Sequence, residues 1–583
     1  MAPGDTRTSP LSSANDPSRP AGHRFFASVP VVPAWMWILL AALAIHVNGP
    51  ANLACLSRDG VQFVTYAKRL AVEPLAVMRD TTKQPGYPAL MLAVNRITIN
   101  SFYKDHPIIW QACGQFVALC GGVATCLLIY RLGRRLFGDT RIALVAGLMA
   151  CAWPQGAMLS ADVLSDMPHL ALYLAALVIG LSAMDRMSLP RFAACGAVAG
   201  LAYLVRQEAL GLVAAMAICA LWPSATDRWA RRVAGVACMV GAFAVIAAPH
   251  SIATGRVMPN KSIDELIFGT DAAAHSPTGE SSDTRQHVAD AAHVAQRPTL
   301  RRSSVFAHQV AWYMAPARMA EEWCKSGRYV LSTLVLIALI LKTAPRPESR
   351  GARLVVVAIA LQLVAVQLRV KSYGEISSRY LLIPAALTIP WAATGMSALI
   401  TMIAAALARG AGDTGADAAM IARRRIRSLW LSASLVVFVP LVYYATMQIN
   451  ADKAPYKLAG WWLRSNTKRA DRVHAHDRLE QVMFYAGRTW PETTWIYGDD
   501  GRTAPTLARL KEIVRETSPD YVVDARRSRD GDIAAQDAYI EQLSSGESDF
   551  LEVIWNSGAA NHEVIVMRRK QPAEAQQVKP AGE

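Results

Sequence analysis

Charged residues are scarce in this chain of 583 residues: 18% are Asp, Glu, Lys or Arg, whereas 53% are hydrophobic. This balance is too apolar for a soluble enzyme of this length and predicts a polytopic membrane protein with soluble parts. Acids are scarcer than bases, and the formal net charge is +15. The chain nevertheless lacks nucleic-acid-binding motifs, and its Lys and Arg clusters lie between apolar segments, where the positive-inside bias accounts for them.

Two further absences concern the start of the chain and its symmetry. No small-residue cleavage site follows the first apolar run, so we expect a retained membrane helix and not a removed signal peptide. Residues 1–31 are rich in Ser, Pro, Arg and Ala and predict a disordered cytoplasmic tail. No internal repeat is apparent, which argues against a transporter built from duplicated halves.

Eleven apolar segments are candidate membrane helices, each near the ~20 residues that a bilayer requires. They are 32–48, 108–130, 141–158, 168–184, 191–206, 208–222, 232–249, 327–342, 352–369, 379–405 and 428–447. With the N-terminus inside, the compact basic loops at 131–141, 184–191, 227–232, 342–353 and 422–427 all become cytoplasmic. Merging the short fifth and sixth segments would break that pattern, so the sequence predicts eleven spans and a C-terminus outside.

Three large segments then lie outside the membrane: 49–107, 250–326 and the C-terminal part 448–583. The last predicts a small α/β domain from helical and strand-like stretches. The helical stretches are YKLAGWWLRSN, RLEQVMFYAG, APTLARLKEIVRETSPD and DAYIEQLSS; the strand-like ones are RVHAHD, YVVDA, FLEVIWN and HEVIVMRR. No Gly-rich phosphate loop opens these helices, so no nucleotide site is predicted.

The first outer segment carries the acid of greatest interest, Asp59 in LSRDGVQFVTYAKRL. The one-sided apolar spacing after it predicts an amphipathic helix at the membrane interface. Asp59 either caps this helix, as Ser57 also could, or offers its carboxylate as a catalytic base, and the two roles are compatible. Further along, MRDTTKQPGYPALMLAVNRI predicts a short re-entrant or juxtamembrane helix, with Lys83 at the depth of a lipid phosphate.

Several segments in this order resemble the GT-C glycosyltransferases. They are the acid after the first span, Tyr66 and Ala67, Gln-Pro-Gly-Tyr-Pro at 84–88, LSADVLSDMPHLALYL at 159–174, ISSRYLLIPAALTIP at 376–390, and AGWWLRSN with HDRLEQVMFYAGR. The nearest branch is that of the dolichyl-phosphate-mannose protein mannosyltransferases and the aminoarabinose-lipid A transferases. The chain departs from it at Gly60, where relatives carry a second acid, and at Gln84, where a Lys or His commonly precedes the proline.

This resemblance implies an enzyme that transfers a sugar, with inversion, from a polyprenyl-phosphate donor to an acceptor hydroxyl of a lipid, glycan or protein. Such chemistry needs a carboxylate to take the acceptor proton and cations to hold the departing phosphate. The candidate catalytic residues are Asp59 and Asp166, and the candidate substrate-binding residues are Lys83, Tyr87, Arg206, Arg379 and Tyr380. For a bacterial source, the implied location is the inner membrane, with the site facing the periplasm.

Other interpretations stay open for each candidate. Asp166 suits a helix N-terminus, Arg379 a snorkelling position, and Arg206 an ion pair with Glu208. His474, His476 and Asp477 have the composition of a metal site without an evident third ligand group, so no cofactor is predicted, although a divalent metal stays open. Cys55 and Cys324 fall in outer loops where a disulfide is conceivable. The rival classes are a flippase for lipid-linked sugars and a non-catalytic scaffold.

Overall fold

The structure is a computed structural model. It describes residues 33–80, 83–98, 106–223, 229–255, 312–344, 349–373, 376–410, 416–475, 479–488, 507–525, 538, 540–543, 548, 550–558 and 563–570. The predicted N-terminal tail, most of the predicted second outer loop, and His476 with Asp477 lie outside these residues.

Helices make up the membrane part of the chain. They are α1 (Ala34–His46), α2 (Asn48–Asn52), α3 (Arg58–Val72), α4 (Pro74–Arg79), α5 (Gly86–Thr98), α6 (Pro107–Phe137), α7 (Thr140–Cys151), α8 (Pro154–Ala161), α9 (Asp166–Arg186), α10 (Leu189–Val205), α11 (Ala209–Leu221), α12 (Trp229–Thr254), α13 (Ala315–Ser326), α14 (Val330–Ile340), α15 (Arg350–Tyr373), α16 (Leu382–Gly410) and α17 (Ala416–Ala445). A 3₁₀ turn, Ser378–Leu381, leads into α16.

Seven of the described helical segments are long and apolar enough to cross a membrane, or up to nine if each of two bent pairs is one span. The bent pairs are α7 with α8, at 50°, and α13 with α14, at 113°. Each predicted span coincides with a helix or a bent pair, which confirms the polytopic helical class. The count of eleven is not established, because α10 and α11 have only 17 and 13 residues.

Small residues bring the membrane helices close together. A Cβ at Gly196 of α10 would run into the backbone of Met239 in α12, and one at Gly395 of α16 would run into Leu334 of α14. Such contacts are typical of helix association in lipid, where close van der Waals packing replaces hydrophobic burial as the driving force. The helices that carry the outer loops are therefore held at fixed separations.

The first outer segment folds onto the membrane helices. Its amphipathic helix α3 forms where predicted, but its apolar stripe, which includes Val61, Phe63, Val64 and Ala67, is buried inside the protein against α5 and α6. The apolar stripe therefore packs on protein helices, and the position of α3 at the membrane interface stays a prediction. Burial of the stripe orients the first turn of α3, which carries Asp59.

The C-terminal part forms α18 (Ala454–Asn466), β1 (Val473–Ala475), α19 (Glu480–Tyr485), α20 (Leu507–Thr517), β2 (Tyr521–Ala525), β3 (Leu551–Asn556) and β4 (Val564–Arg569). The described strands make one sheet in the order β1-β2-β4-β3. β1 and β2 are parallel, whereas β4 is antiparallel to both β2 and β3. Strands and helices lie at the predicted stretches, and the predicted pairing of FLEVIWN with HEVIVMRR is observed.

Gly86 joins the first outer segment to the end of α10. A Cβ at this position would lie 2.6 Å from the carbonyl oxygen of Leu204 and 2.9 Å from the nitrogen of Val205. The absence of a side chain thus lets the 84–88 segment pack directly on the backbone that precedes Arg206.

We expect Gly86→Ala to lower the free energy of unfolding by about 1–3 kcal/mol, because the added methyl overpacks a backbone contact. Gly211→Ala is the matched control, since nothing lies within 4 Å of a Cβ there. Thermal unfolding of both purified variants checks this. Equal melting temperatures would show that the contact at Gly86 does not hold the loop.

Candidate active site

Six charged side chains from four separate segments form one continuous row of ion pairs. Lys83 Nζ lies 2.8 Å from Asp59 Oδ1, and Arg379 Nη1 lies 2.9 Å from Asp59 Oδ2. Arg379 Nη2 lies 2.7 Å from Asp166 Oδ2, and Arg206 Nη1 lies 3.0 Å from Asp166 Oδ1.

The row ends where Arg206 Nη2 lies 2.7 Å from Glu208 Oε1. Its order is Lys83, Asp59, Arg379, Asp166, Arg206 and Glu208. Five of the seven predicted site residues therefore meet in one place, although they are far apart in sequence.

Asp59 stands in the first turn of α3 but does not cap it. The cap is Ser57, whose hydroxyl oxygen accepts a hydrogen bond from the Gly60 N–H at 3.2 Å. The expectation that Asp59 caps the helix is therefore wrong. Because the hydroxyl of Ser57 fills that role, the carboxylate of Asp59 is available to Lys83 and Arg379.

Local structure also fixes the other members of the row. Asp166 opens α9 and is 1% exposed, so its charge needs the two guanidinium groups that contact it. Arg379 lies in the 3₁₀ turn capped by the Ser377 side chain. Arg206 follows the last residue of α10 in an extended conformation, which turns its side chain away from the helix.

The balance of charge decides the state of the carboxylates. Burial by itself would raise the pKa of Asp59, but the charges of Lys83 and Arg379 outweigh that effect and hold the pKa well below its usual range. Burial would likewise raise the pKa of Glu208, and Arg206 and His169 together lower it to about 2. Three carboxylates thus face three cations, and the row is electrically neutral.

Two predicted substrate-binding residues lie outside the row. Tyr87 is fully buried, and its hydroxyl donates to the Gly114 carbonyl at 2.9 Å. Its ring meets Phe63 edge-on at 5.0 Å, and Phe63 in turn lies beneath the Lys83 ammonium. Tyr380 accepts a hydrogen bond from Arg369 at 2.8 Å and stacks beneath its guanidinium. Both tyrosines support the segments that carry the site.

Asp162 is a buried neighbour of the site that the sequence alone did not indicate. This buried carboxylate accepts hydrogen bonds from the Ser57 N–H at 3.2 Å and from the Val163 N–H at 2.7 Å. It thereby ties the start of α3 to the loop before α9. The available signal was the pair of acids in LSADVLSD, of which only Asp166 was considered.

The same contact explains Gly60. A Cβ there would lie 3.2 Å from the Val163 carbonyl oxygen and 3.3 Å from a carboxylate oxygen of Asp162. A second acid at this position would be crowded and would face another carboxylate. In this chain Asp162 occupies the space beside Gly60, which gives the departure from the family pattern a steric reason.

The C-terminal part touches the helix that carries Asp59. Glu480 is 7% exposed and accepts hydrogen bonds from Arg58 at 3.0 and 3.1 Å and from Gln62 at 3.3 Å. The Tyr485 hydroxyl accepts from the Leu56 N–H and donates to Gln111, both at 3.1 Å. Helix α19 therefore anchors the first turn of α3.

The structure also bears on metals and disulfides. Among the residues that it describes, no three His, Cys, Asp or Glu side chains form a group able to hold a metal ion. Each carboxylate of the row already contacts a Lys or Arg. Cys55 and Cys324 are both free thiols.

The fold has counterparts among solved membrane glycosyltransferases. ArnT from Cupriavidus metallidurans, in its crystal structure bound to undecaprenyl phosphate, superimposes with a TM-score of 0.53 at 14% identity, over 92% of this chain and 98% of that one. The Archaeoglobus fulgidus oligosaccharyltransferase, tethered with an acceptor peptide, gives a TM-score of 0.53 at 11% identity, over 94% of this chain and 74% of that one.

Sequence comparison agrees over a shorter stretch. Residues 111–252 match the family model described as dolichyl-phosphate-mannose-protein mannosyltransferase. This stretch contains Asp166, Arg206 and Glu208. No curated protein sequence matches the chain significantly. The family match and the shared fold together confirm the resemblance to GT-C glycosyltransferases that the sequence suggested.

Loss of the α19 contact should be measurable. We expect Glu480→Ala to reduce the free energy of unfolding by about 1–3 kcal/mol, because Arg58 and Gln62 lose a buried acceptor. Glu552→Ala is the control, since its 2.8 Å pair with Arg568 is exposed and should contribute less than about 1 kcal/mol. Chemical or thermal unfolding compares them, and equal loss in the two variants would contradict the anchoring role.

Proposed function

We propose that this protein is a glycosyltransferase that moves a sugar from a polyprenyl-phosphate donor to an acceptor hydroxyl of a lipid, glycan or protein. The observation that carries the proposal is the row of ion pairs, in which one accessible carboxylate, Asp59, is held between two cations. The shared fold supports it, because one structural neighbour binds undecaprenyl phosphate and another is tethered to an acceptor peptide.

The proposed roles follow from charge. Lys83 and Arg379 bind the donor phosphate through charge-assisted hydrogen bonds, and Asp59 accepts the proton of the acceptor hydroxyl. The acceptor oxygen bonds to the anomeric carbon as the bond from that carbon to the phosphate oxygen breaks. The departing phosphate gains about one negative charge, and protonation of Asp59 removes one from the protein, so the site keeps its overall charge.

Donor binding also prepares the base. In the free protein Lys83 and Arg379 stabilise the ionised form of Asp59, which makes this carboxylate a weak proton acceptor. A phosphate that draws these two long side chains toward itself leaves Asp59 less compensated. The pKa of Asp59 then rises, and its carboxylate becomes basic only when the donor is in place.

The proposed topology has eleven spans, with the N-terminus in the cytoplasm and the C-terminal α/β part outside. The basic loops support it, since all of the compact ones fall on one side. In a bacterial cell this arrangement places the row of ion pairs at the periplasmic face of the inner membrane. There a donor phosphate at the lipid boundary would meet Lys83.

The proposed function is tested with the purified protein in liposomes. The probes are radiolabelled undecaprenyl-phosphate sugars, offered with lipid and protein acceptors from the host membrane, and the readout is released undecaprenyl phosphate. Wild type should release it and label an acceptor. If the labelled donor crosses the bilayer and no undecaprenyl phosphate is released, the protein is instead a flippase. If no donor is either transported or cleaved, the result points to a scaffold.

We expect Asp59→Asn to abolish release while binding undecaprenyl phosphate about tenfold more tightly. The reason is that the variant removes both the base and the anion that competes with phosphate for Lys83 and Arg379. Asp80→Asn is the matched control, because this acid of the same outer segment pairs with Arg69, outside the row. Equilibrium binding of undecaprenyl phosphate checks this, and unchanged or weaker affinity in Asp59→Asn would refute the competition.

The pH dependence of the reaction should reveal the exchange of partners. In the free protein the ion pairs of Asp59 are complete above the ordinary carboxyl pKa of about 3.9 and are lost as the pH falls through the lower folded-state pKa. The donor complex has a higher pKa, so the acid limb of kcat should lie at higher pH than that of kcat/KM. Coincident limbs would show that the donor does not take the cations from Asp59.

A further inference from the structure

The row of ion pairs has two accessible ends with different chemistry. At one end the side chains of Lys83 and Asp59 are 20% and 36% exposed. At the other end those of Arg206 and Glu208 are 20% and 25% exposed. Asp166, in the middle, is 1% exposed and contacts an Arg on each side. A ligand can therefore reach both ends, whereas the centre serves to connect them.

The charges of the two ends differ. At the first end two cations surround a single carboxylate, which suits an anion such as phosphate. At the second end one guanidinium meets one carboxylate, and a single oxygen, Glu208 Oε1, receives both Arg206 Nε at 3.1 Å and Nη2 at 2.7 Å. A neutral pair that offers both donors and acceptors suits neighbouring hydroxyl groups better than an ion.

Two polar atoms near the row have no hydrogen-bond partner among the described residues, one in His169 and one in Gln84. His169 stands one turn after Asp166 on α9 and is 2% exposed. Its Nδ1 bonds to the Ala202 carbonyl, but its Nε2 has no hydrogen-bond partner among the described residues. The same Ala202 carbonyl accepts the Arg206 backbone N–H at 2.8 Å, which ties the His169 ring to the backbone of Arg206.

Gln84, in the 84–88 segment, also has a buried polar atom without a hydrogen-bond partner in the described part of the chain. This atom is its Oε1. Gln84 belongs to the 84–88 segment, which packs at Gly86 on the backbone of Leu204 and Val205, just before Arg206. Buried polar atoms without partners are costly, and they are found where a ligand or water completes the hydrogen bonds.

From these contacts we infer that Arg206, Glu208 and His169 form a subsite that binds the hydroxyl groups of the donor sugar. This inference rests on the proposed function and adds a specificity role to the second end of the row. Glu208 accepts hydrogen bonds from sugar hydroxyls, Arg206 donates to their oxygens, and His169 Nε2 supplies a third contact.

Connectivity favours the donor sugar over the acceptor. The sugar is bonded directly to the phosphate, so its ring must lie next to Lys83 and Arg379. Only Asp166 separates Arg379 from Arg206, since both guanidinium groups bond to that carboxylate. Arg379 donates to Oδ2 at 2.7 Å and to Oδ1 at 3.4 Å, and Arg206 donates to Oδ1 at 3.0 Å. The second end therefore lies within reach of a ring whose phosphate occupies the first end.

The test compares Glu208→Gln with wild type in the release assay. Glutamine keeps an oxygen for Arg206 but removes the charge that strengthens hydrogen bonds from sugar hydroxyls. The probes are the undecaprenyl-phosphate sugar that wild type consumes, for its KM, and undecaprenyl phosphate, for its inhibition constant as product. We expect the KM for the donor to rise about tenfold while the inhibition constant changes by less than about twofold.

Each arm of the experiment has a distinct meaning. The inhibition constant of undecaprenyl phosphate reports whether the variant is folded and still binds phosphate at the first end of the row. The control variant Glu552→Gln should leave both the KM and the inhibition constant unchanged. If the KM for the donor and the inhibition constant of the product rise equally, the inference is overturned and Glu208 acts on the phosphate. If only the KM for the acceptor rises, the inference is overturned and the subsite binds the acceptor. Unchanged constants in Glu208→Gln would overturn the inference alone, whereas no turnover by wild type would overturn the proposed function as well.

Discussion

The buried charge of Asp166 is the constraint on which the site depends. An ionised carboxylate that is 1% exposed is stable only if cations replace its lost hydration. Arg379 and Arg206 both do so, and each also contacts a second anion. Those anions are Asp59 and Glu208, and Lys83 completes the balance. One buried acid thus requires four segments of the chain to converge.

Close backbone packing makes this convergence possible. Gly86 lets the 84–88 segment rest on the end of α10, and Gly60 lets the start of α3 approach the loop before α9. Asp162, in the loop before α9, and Glu480, in α19, then hold the start of α3. Long flexible side chains such as Lys83 and Arg379 therefore extend from a rigid frame, which allows them to change partners while the backbone stays in place.

This arrangement links stability to the chemistry proposed for the site. A row with matched charges is stable without ligand, and it also keeps the candidate base weak until an anion competes for its cations. A phosphate would draw Lys83 and Arg379 away from Asp59, whereas Asp166, which is 1% exposed, would keep its contacts with Arg379 and Arg206. Phosphate recognition and sugar recognition are thereby assigned to different ends of a single electrostatic unit.

The sequence alone determined much of the fold and the residue types of the site. Apolar segments located the membrane helices, and alternating patterns located the C-terminal strands, because both signals are local along the chain. The residue types and their positions singled out Asp59, Lys83 and Arg206, and the family resemblance added Asp166 and Arg379. Local signals also left roles open: Asp59 was compatible with a helix cap, a role that the structure gives to Ser57, and a substrate contact by Tyr87 stays a prediction.

Only the tertiary structure decided how these residues are connected. Whether Arg379 pairs with Asp59 or reaches the membrane surface depends on contacts between segments 320 residues apart. The roles of Asp162, Gly60 and Glu480 depend equally on distant partners, such as the 418-residue separation between Gln62 and Glu480. Pairing over such separations leaves no periodic signal in the sequence, because it is set by the packing of helices whose order along the chain differs from their order in space.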